Sequence, residues 1–210
     1  AVVKGDERKV KQICAKVVEL GLPVRDAIVK GLSHGMKIVG EKYEQREYFL
    51  ADLILSAEIM RGGLNYLLPY LEEAEGRFLG KYVIGVVKGN IHDLGKNIVA
   101  AMLRAEGFEV YDLGVDVPPE RFVEKVKEVD ANLVGMSVYT SDALPVVGEV
   151  ERALRIAGLR NRVKTMVGGA AASPLIAEKY GVDAYGKDSI EAVKIAKRLL
   201  QELHETLRAV

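Results

Sequence analysis

The 210-residue sequence has no tryptophan, a single cysteine and no excess of charge of either sign: 30 lysines and arginines stand against 30 aspartates and glutamates. Balanced charge gives no general attraction to nucleic acid or to an anionic membrane. No apolar run approaches the roughly 20 residues that a membrane span needs. The lone Cys14 cannot close an internal disulfide, which suits a reducing cytoplasm. Its helical surroundings mark it as a packing residue rather than a nucleophile. Two ligand fingerprints are also missing. No G-x-G-x-x-G follows the first strand pattern, and there is no G-x-x-x-x-G-K-[ST] phosphate loop. These absences argue against nicotinamide, flavin-dinucleotide and nucleotide chemistry. No internal repeat or low-complexity segment occurs.

What is present is ample for a core: 49% of residues are hydrophobic and 29% charged. The first third reads as helix. One apolar stripe between Asp6 and Leu20 contains Val10, Ile13, Cys14, Val17 and Val18. A second, from Val24 to about Gln45, contains Ala27, Ile28, Leu32, Val39 and Tyr43. A third, from Phe49 to Leu71, contains Leu50, Leu53, Ile54, Ala57, Met60, Leu64, Leu67 and Leu68. Spacings of three and four predict buried helix faces and a small bundle of three clear helices. A fourth could come from a break near Ser33 to Gly35, or precede Ala1. The charged stretch Leu71–Gly80 reads as a linker and natural hinge. It divides the chain into a helical domain, 1–75, and a second domain, 76–210.

The second domain alternates. Strands are expected at Lys81–Val87, Glu109–Leu113, Leu133–Val138, Lys164–Val167 and Ala184–Tyr185. Helices are expected at about Gly95–Glu106, Pro119–Val129, Ala143–Ala157, Pro174–Tyr180 and Ser189–Leu207. Gly107 and Gly158 mark helix ends, Pro119 and Pro174 mark first turns, and Asp188 with Glu191 has capping-box spacing. Five strands alternating with five helices predict an α/β fold with a doubly wound parallel sheet, in flavodoxin-like order 2-1-3-4-5.

Ligands of such sheets bind at the carboxyl ends of the strands. The loop after the first strand, Lys88 to Gly95, presents His92 there. His34 and His204 lie within helical stretches. A loop histidine is often merely solvated, but one at the switch point can ligate a metal if a neighbour fixes its tautomer. Asn90 is the candidate neighbour. One histidine without a cysteine or carboxylate cluster cannot build a protein-only zinc site. A metal at His92 would arrive inside a cofactor that supplies its other ligands.

Asn90-Ile91-His92-Asp93-Leu94-Gly95 resembles the Asp-x-His-x-x-Gly motif of cobalamin-binding domains. Ser137-Val138-Tyr139 follows after residues 96–136, 41 positions, and Gly168-Gly169 after residues 140–167, 28 positions. Both gaps match the family's Ser-x-Leu and Gly-Gly elements. In the first third, GMKIVGEKY, EYFLADL, SAEIM and LLPYL resemble the helical cap of methyl-carrying corrinoid proteins and of cobalamin-dependent methionine synthase.

The resemblance implies a bound cobalamin or related corrinoid, with His92 as the lower axial ligand of cobalt. It implies that Ser137 and Ser141 bond the detached nucleotide tail, and that Gly168, Gly169 and Ala170 let it run close to the backbone. Phe49 and Leu50 would cover the upper, methyl-bearing face. Two departures stand out. The family's motif carboxylate is Asn90 here, and the serine that works with it aligns with Ala143, so the proton relay to the histidine looks dismantled. Tyr139 replaces the usual leucine. Asp93 and Asp142 are nearby carboxylates that could substitute. The implied function is a methyl carrier between a donor-specific methyltransferase and an acceptor methyltransferase, and not a complete enzyme by itself. The alternatives are a cobalamin-binding mutase subunit, a cobalamin-based sensor and a receiver-like domain. The last should have an acidic cluster at a phosphoacceptor aspartate, whereas strand three ends in Ser137.

Overall fold

The computed structural model describes residues 1–70 and 79–208. The chain divides into two compact units, Ala1–Glu72 and Glu73–Val210. Most of the expected linker, Leu71–Gly80, lies outside the described residues.

The first unit holds three long helical segments. A short 3-10 turn, Val2–Lys4, precedes α1, Glu7–Glu19, whose first turn is capped by the Asp6 carboxylate accepting from Lys9 N at 2.9 Å. The second, α2, runs over residues 24–44 as an α-turn, a π-helical stretch Ala27–Ser33, and a further α-helix His34–Glu44. Ser33 and His34 both keep right-handed helical backbone angles, so the break considered near Ser33 does not occur. The third helix, α3, spans Leu50–Leu67. Asp52 fixes its start by accepting the Phe49 N–H at 2.9 Å.

The core of this unit is narrower than the stripes suggested. Val10, Cys14, Val17, Ile28, Leu32, Val39, Met60, Leu64 and Leu67 are buried. Ile13, Tyr43, Leu50 and Ile54 are exposed, although helical spacing placed them on buried faces. The packing face of α3 is carried by Ser56, Ile59, Met60, Gly63, Leu64 and Leu67 instead. Cys14 is buried, its thiol facing Gly63 O, and burial pushes its pKa up. It is a packing residue.

The second unit is a five-stranded parallel sheet of order β2-β1-β3-β4-β5. The strands are β1 Lys81–Val86, β2 Glu109–Asp112, β3 Leu133–Ser137, β4 Lys164–Gly168 and β5 Ala184–Gly186. Helices α4 Leu94–Ala105 and α8 Ser189–Arg208 cover one face, and α5 Pro119–Val129, α6 Leu144–Ile156 and α7 Pro174–Tyr180 the other. Both faces of β1 and β3 are therefore buried, which is why these strands read as continuous apolar runs. Glycines in the central strands make room for large rings: a Cβ on Gly85 would lie 2.9 Å from Phe122, and one on Gly135 2.5 Å from the Tyr82 hydroxyl. The caps follow expectation with one change. Asp188 accepts from Glu191 N, but the Glu191 carboxylate reaches Lys187 N instead of Asp188 N.

At the amino edge of the sheet, Glu151 is 1% exposed. Arg160 Nε donates to Glu151 Oε2 at 2.6 Å, and the Arg160 guanidinium also reaches Asp183 Oδ2 at 2.9 Å. Asp183 in turn accepts from Thr165 N at 2.7 Å. This network ties α6 to the starts of β4 and β5. Burial pushes the Glu151 carboxyl above its ordinary range, against the opposing pull of Thr165 and Arg160.

Arg160→Met leaves the buried Glu151 carboxylate only the longer contact with the exposed Arg155 guanidinium, at 3.5 Å, and should destabilise the protein by up to about 3–5 kcal/mol at neutral pH. A carboxyl whose folded pKa is raised contributes stability below its unfolded pKa and loses it as pH rises through the folded value. The deficit of Arg160→Met should therefore shrink as pH falls toward the carboxylate range. Urea unfolding at pH 7 and pH 5, with Arg160→Met/Glu151→Gln as the partial rescue, checks this. An equal deficit at both values rejects Glu151 as its source.

Candidate functional site

The strands end side by side at the carboxyl edge of the sheet. Val86 is in register with Ser137, Ser137 with Gly168, and Gly168 with Gly186. One row across the edge thus carries serine, glycine and glycine. A Cβ on Gly168 would approach Gly186 O to 3.1 Å. Gly169 has φ 108°, and a Cβ there would lie 2.2 Å from Val138 O, so only glycine fits. Gly169 and Ala170 are exposed, leaving bare backbone beside the edge. The hydroxyls of Ser137 and Ser141 make no hydrogen bond among the described residues and are free for a ligand. Sequence reasoning named Gly168 and Gly169 but missed Gly186. A glycine closing the short fifth strand was the available signal.

The loop between β1 and α4 crosses this edge. Ile91 and His92 are exposed, and Asp93 precedes the first residue of α4, Leu94. Asp93 O accepts Asn97 N at 2.8 Å and its carboxylate accepts Asn97 Nδ2 at 3.1 Å, which sets the helix start. Gly95 opens onto empty space, where an added Cβ would meet nothing within 4 Å. One residue on, Lys96 is buried. Its ammonium pairs with the Asp112 carboxylate at the end of β2 and donates to Asn97 Oδ1 at 2.8 Å. A buried ammonium needs such partners, so the first turn of α4 is pinned to β2.

Two neighbouring loops hold the His92 loop in place. From the β2 side, Asp116 accepts Gly89 N at 2.8 Å and its own N–H donates to Asn90 O at 3.0 Å. From the β3 side the partner is the Asn90 side chain, which is 2% exposed. Asn90 Oδ1 accepts Tyr139 N at 2.6 Å and Thr140 N at 3.0 Å, while Asn90 Nδ2 donates to Thr140 Oγ1 at 2.8 Å. Asn90 is therefore not bonded to His92, contrary to expectation. Its amide is engaged by the strand-three loop. The Thr140 hydroxyl, followed by Asp142's own backbone amide, holds the Asp142 carboxyl below the usual carboxylate range. Thr140 is a site residue that sequence reasoning missed.

His92 instead stacks on Tyr139, with ring centroids 4.1 Å apart and planes 16° apart. The structure thus gathers Asn90, His92, Ser137, Tyr139, Ser141, Gly168, Gly169 and Ala170 at one edge. Phe49 and Leu50 belong to the helical unit, where they are 76% and 57% exposed. Among the described residues no group of three or more His, Cys, Asp or Glu could hold a metal ion. A single exposed imidazole beside a row of small residues fits a metal that arrives with its other ligands, and the corrinoid expected from the sequence is such a group. The residues fit it.

The clamp predicts an exchange pattern. In Asn90→Ala the amides of Tyr139 and Thr140 lose their acceptor, and their hydrogen exchange should accelerate at least tenfold, as a hydrogen bond of about 1.4 kcal/mol implies. Asn90→Asp, whose carboxylate can accept both, should keep the protection. Unchanged exchange in folded Asn90→Ala would reject the clamp.

Comparison with known proteins gives a consistent picture. Residues 80–194 and residues 1–68 each match a family described as B12 binding domain. The dimethylamine corrinoid protein 3 of Methanosarcina acetivorans is 41% identical over 200 residues, covering 95% of this chain and 93% of that protein. Trimethylamine corrinoid protein 1 of the same organism is 38% identical, covering 95% and 94%. The solved structure of the Methanosarcina barkeri monomethylamine corrinoid protein matches with a TM-score of 0.85 and 35% identity, covering 95% of this chain and 94% of that one. The chain belongs to the corrinoid proteins of the B12-binding domain family.

Proposed function

We propose that this protein is a corrinoid methyl carrier that takes a methyl group from a donor-specific methyltransferase and delivers it to a second methyltransferase. The observation that carries the reading is the lone exposed imidazole of His92 at the carboxyl edge, in a chain matched over 95% of its length by methylamine corrinoid proteins. A chain similar to the Methanosarcina barkeri methanol:cobalamin methyltransferase complex over 96% of its length, at 29% identity and a TM-score of 0.57, supports methyltransferase partners. The names of the relatives favour methylated amines as the donor class.

Bound, the corrinoid supplies a cobalt centre that accepts and releases the methyl group. The protein's residues do the rest. His92 would offer a ring nitrogen to the cobalt. Ser137 and Ser141 offer hydroxyls to the nucleotide tail, and Gly168, Gly169 and Ala170 leave it room. Phe49 and Leu50, exposed and apolar at the start of α3, would serve as apolar cover for the methyl group. Ile91, Asp93, Leu94 and Gly95 shape the turn that carries the imidazole. The domain reading assigns these roles to a helical cap, 1–75, and a cobalamin-binding domain, 76–210.

Two measurements test the assignment. Reconstituted His92→Ala should lose the axial nitrogen and change its visible absorption spectrum relative to wild type. An unchanged spectrum in the folded variant rejects the ligand role. Ser137→Ala removes one hydrogen bond and should lower corrinoid affinity about three- to tenfold, the range of a single neutral hydrogen bond. Equilibrium dialysis with hydroxocobalamin reads this, and equal affinity removes Ser137 from the site. Methylation of the reduced, cob(I)alamin-loaded protein by a methylated amine and its methyltransferase, read as the appearance of the methylcobalamin spectrum, decides the donor class.

A further inference from the structure

Resting on the reading of His92 as the cobalt ligand, we propose that Tyr139 is the positioning residue for its imidazole, through ring stacking. A ligating nitrogen lone pair is directional, so the ring plane must be set before cobalt arrives. The usual device is a hydrogen bond from a neighbouring group to the other ring nitrogen. His92 makes no hydrogen bond and no ion pair among the described residues, and its one ring contact is with Tyr139.

Asn90, the neighbour expected to provide that bond, is engaged elsewhere. An amide oxygen has two lone pairs. Those of Asn90 accept Tyr139 N and Thr140 N. A third bond to His92 would release the strand-three loop. Asp93 accepts Asn97 Nδ2 through one carboxylate oxygen, and among the described residues neither Asp93 nor Asp142 is hydrogen-bonded to the imidazole. The two bonds to Asn90 serve the stack instead. They fix the backbone of Tyr139 and Thr140, and the Tyr139 ring then lies nearly parallel to the imidazole, 4.1 Å from it. Residue 90 thus acts on the histidine at one remove. The Tyr139 side chain is 48% exposed and its hydroxyl has no partner among the described residues, so the ring and not the phenol performs the task.

The test reads the imidazole directly in the protein without cofactor. His34 and His204 are exposed and serve as internal references for ring-proton resonances. Stacked under the Tyr139 ring current, the His92 resonances should lie upfield of both. Tyr139→Leu should move them to the reference positions, whereas Tyr139→Phe should leave them upfield. Tyr139→Thr is run alongside, with methyl signals of the sheet core scoring the fold, so that one perturbed variant does not decide the outcome. With hydroxocobalamin as the probe, Tyr139→Leu should weaken binding about two- to tenfold, the range of one aromatic pair, and Tyr139→Phe should restore it. Unmoved His92 resonances in folded Tyr139→Leu and Tyr139→Thr overturn the proposal. If His92→Ala still changes the cobalamin spectrum in that case, the ligand assignment stands and only the positioning role falls. If His92→Ala leaves the spectrum unchanged, the ligand reading itself has failed.

Discussion

Three hydrogen bonds from one buried amide hold the carboxyl edge together. Asn90 accepts two backbone N–H groups of the strand-three loop and donates to Thr140, while its own carbonyl receives Asp116 N from the strand-two loop. Three loops that are far apart in sequence therefore meet on one residue. Such a site needs rigidity because the ligand-bearing loop has no regular structure of its own between Val86 and Leu94. The pair between buried Lys96 and the carboxylate of exposed Asp112 supplies the matching anchor at the helix start. Between these two fixed points His92 is free to face outward without the loop being free to move with it.

The chemistry of the donor set restricts what such an edge can bind. One imidazole cannot satisfy a bare transition metal, which needs further nitrogen, sulfur or oxygen donors. The described residues supply no such cluster. The row Ser137, Gly168, Gly186 and the exposed backbone at Gly169 and Ala170 leave space where a bulky ligand can lie close to the chain. A large macrocycle with its own equatorial ligands answers both conditions at once.

Much of the fold was legible in the sequence because its signals are local. Strands buried on both faces read as apolar runs, and right-handed crossovers limit five alternating strands to few orders. Within the helical unit the signal was weaker. Periodicity identifies an apolar face but not whether anything within the unit covers it, so Leu50 and Ile54 were assigned to the core and are exposed. At the site, the motif spacing located His92, Ser137 and Gly168 through their places at strand ends. The partner of Asn90 was not legible. The choice between a bond to His92, two residues away, and bonds to Tyr139 and Thr140, about fifty residues away, depends on how tightly adjacent strands bring their loops together. The His92–Tyr139 stack was hidden for the same reason, although Tyr139 had been noted as a departure from the family pattern.

The departures from that pattern are consistent with one another when the charge is followed. A carboxylate at position 90 could accept the same two backbone N–H groups, so the clamp alone does not require an amide. A charge at a position only 2% exposed would carry a desolvation cost that a neutral amide avoids. The amide also adds a donor. Asn90 Nδ2 bonds the Thr140 oxygen, which leaves the Thr140 proton to be directed at Asp142. The negative charge of this polar chain thus sits on an exposed carboxylate at its outer end and not beside the imidazole. The imidazole is held instead by the face of Tyr139. Asn90, Thr140 and Tyr139 therefore form one arrangement that orients the imidazole through the strand-three loop and not through a bond to its ring.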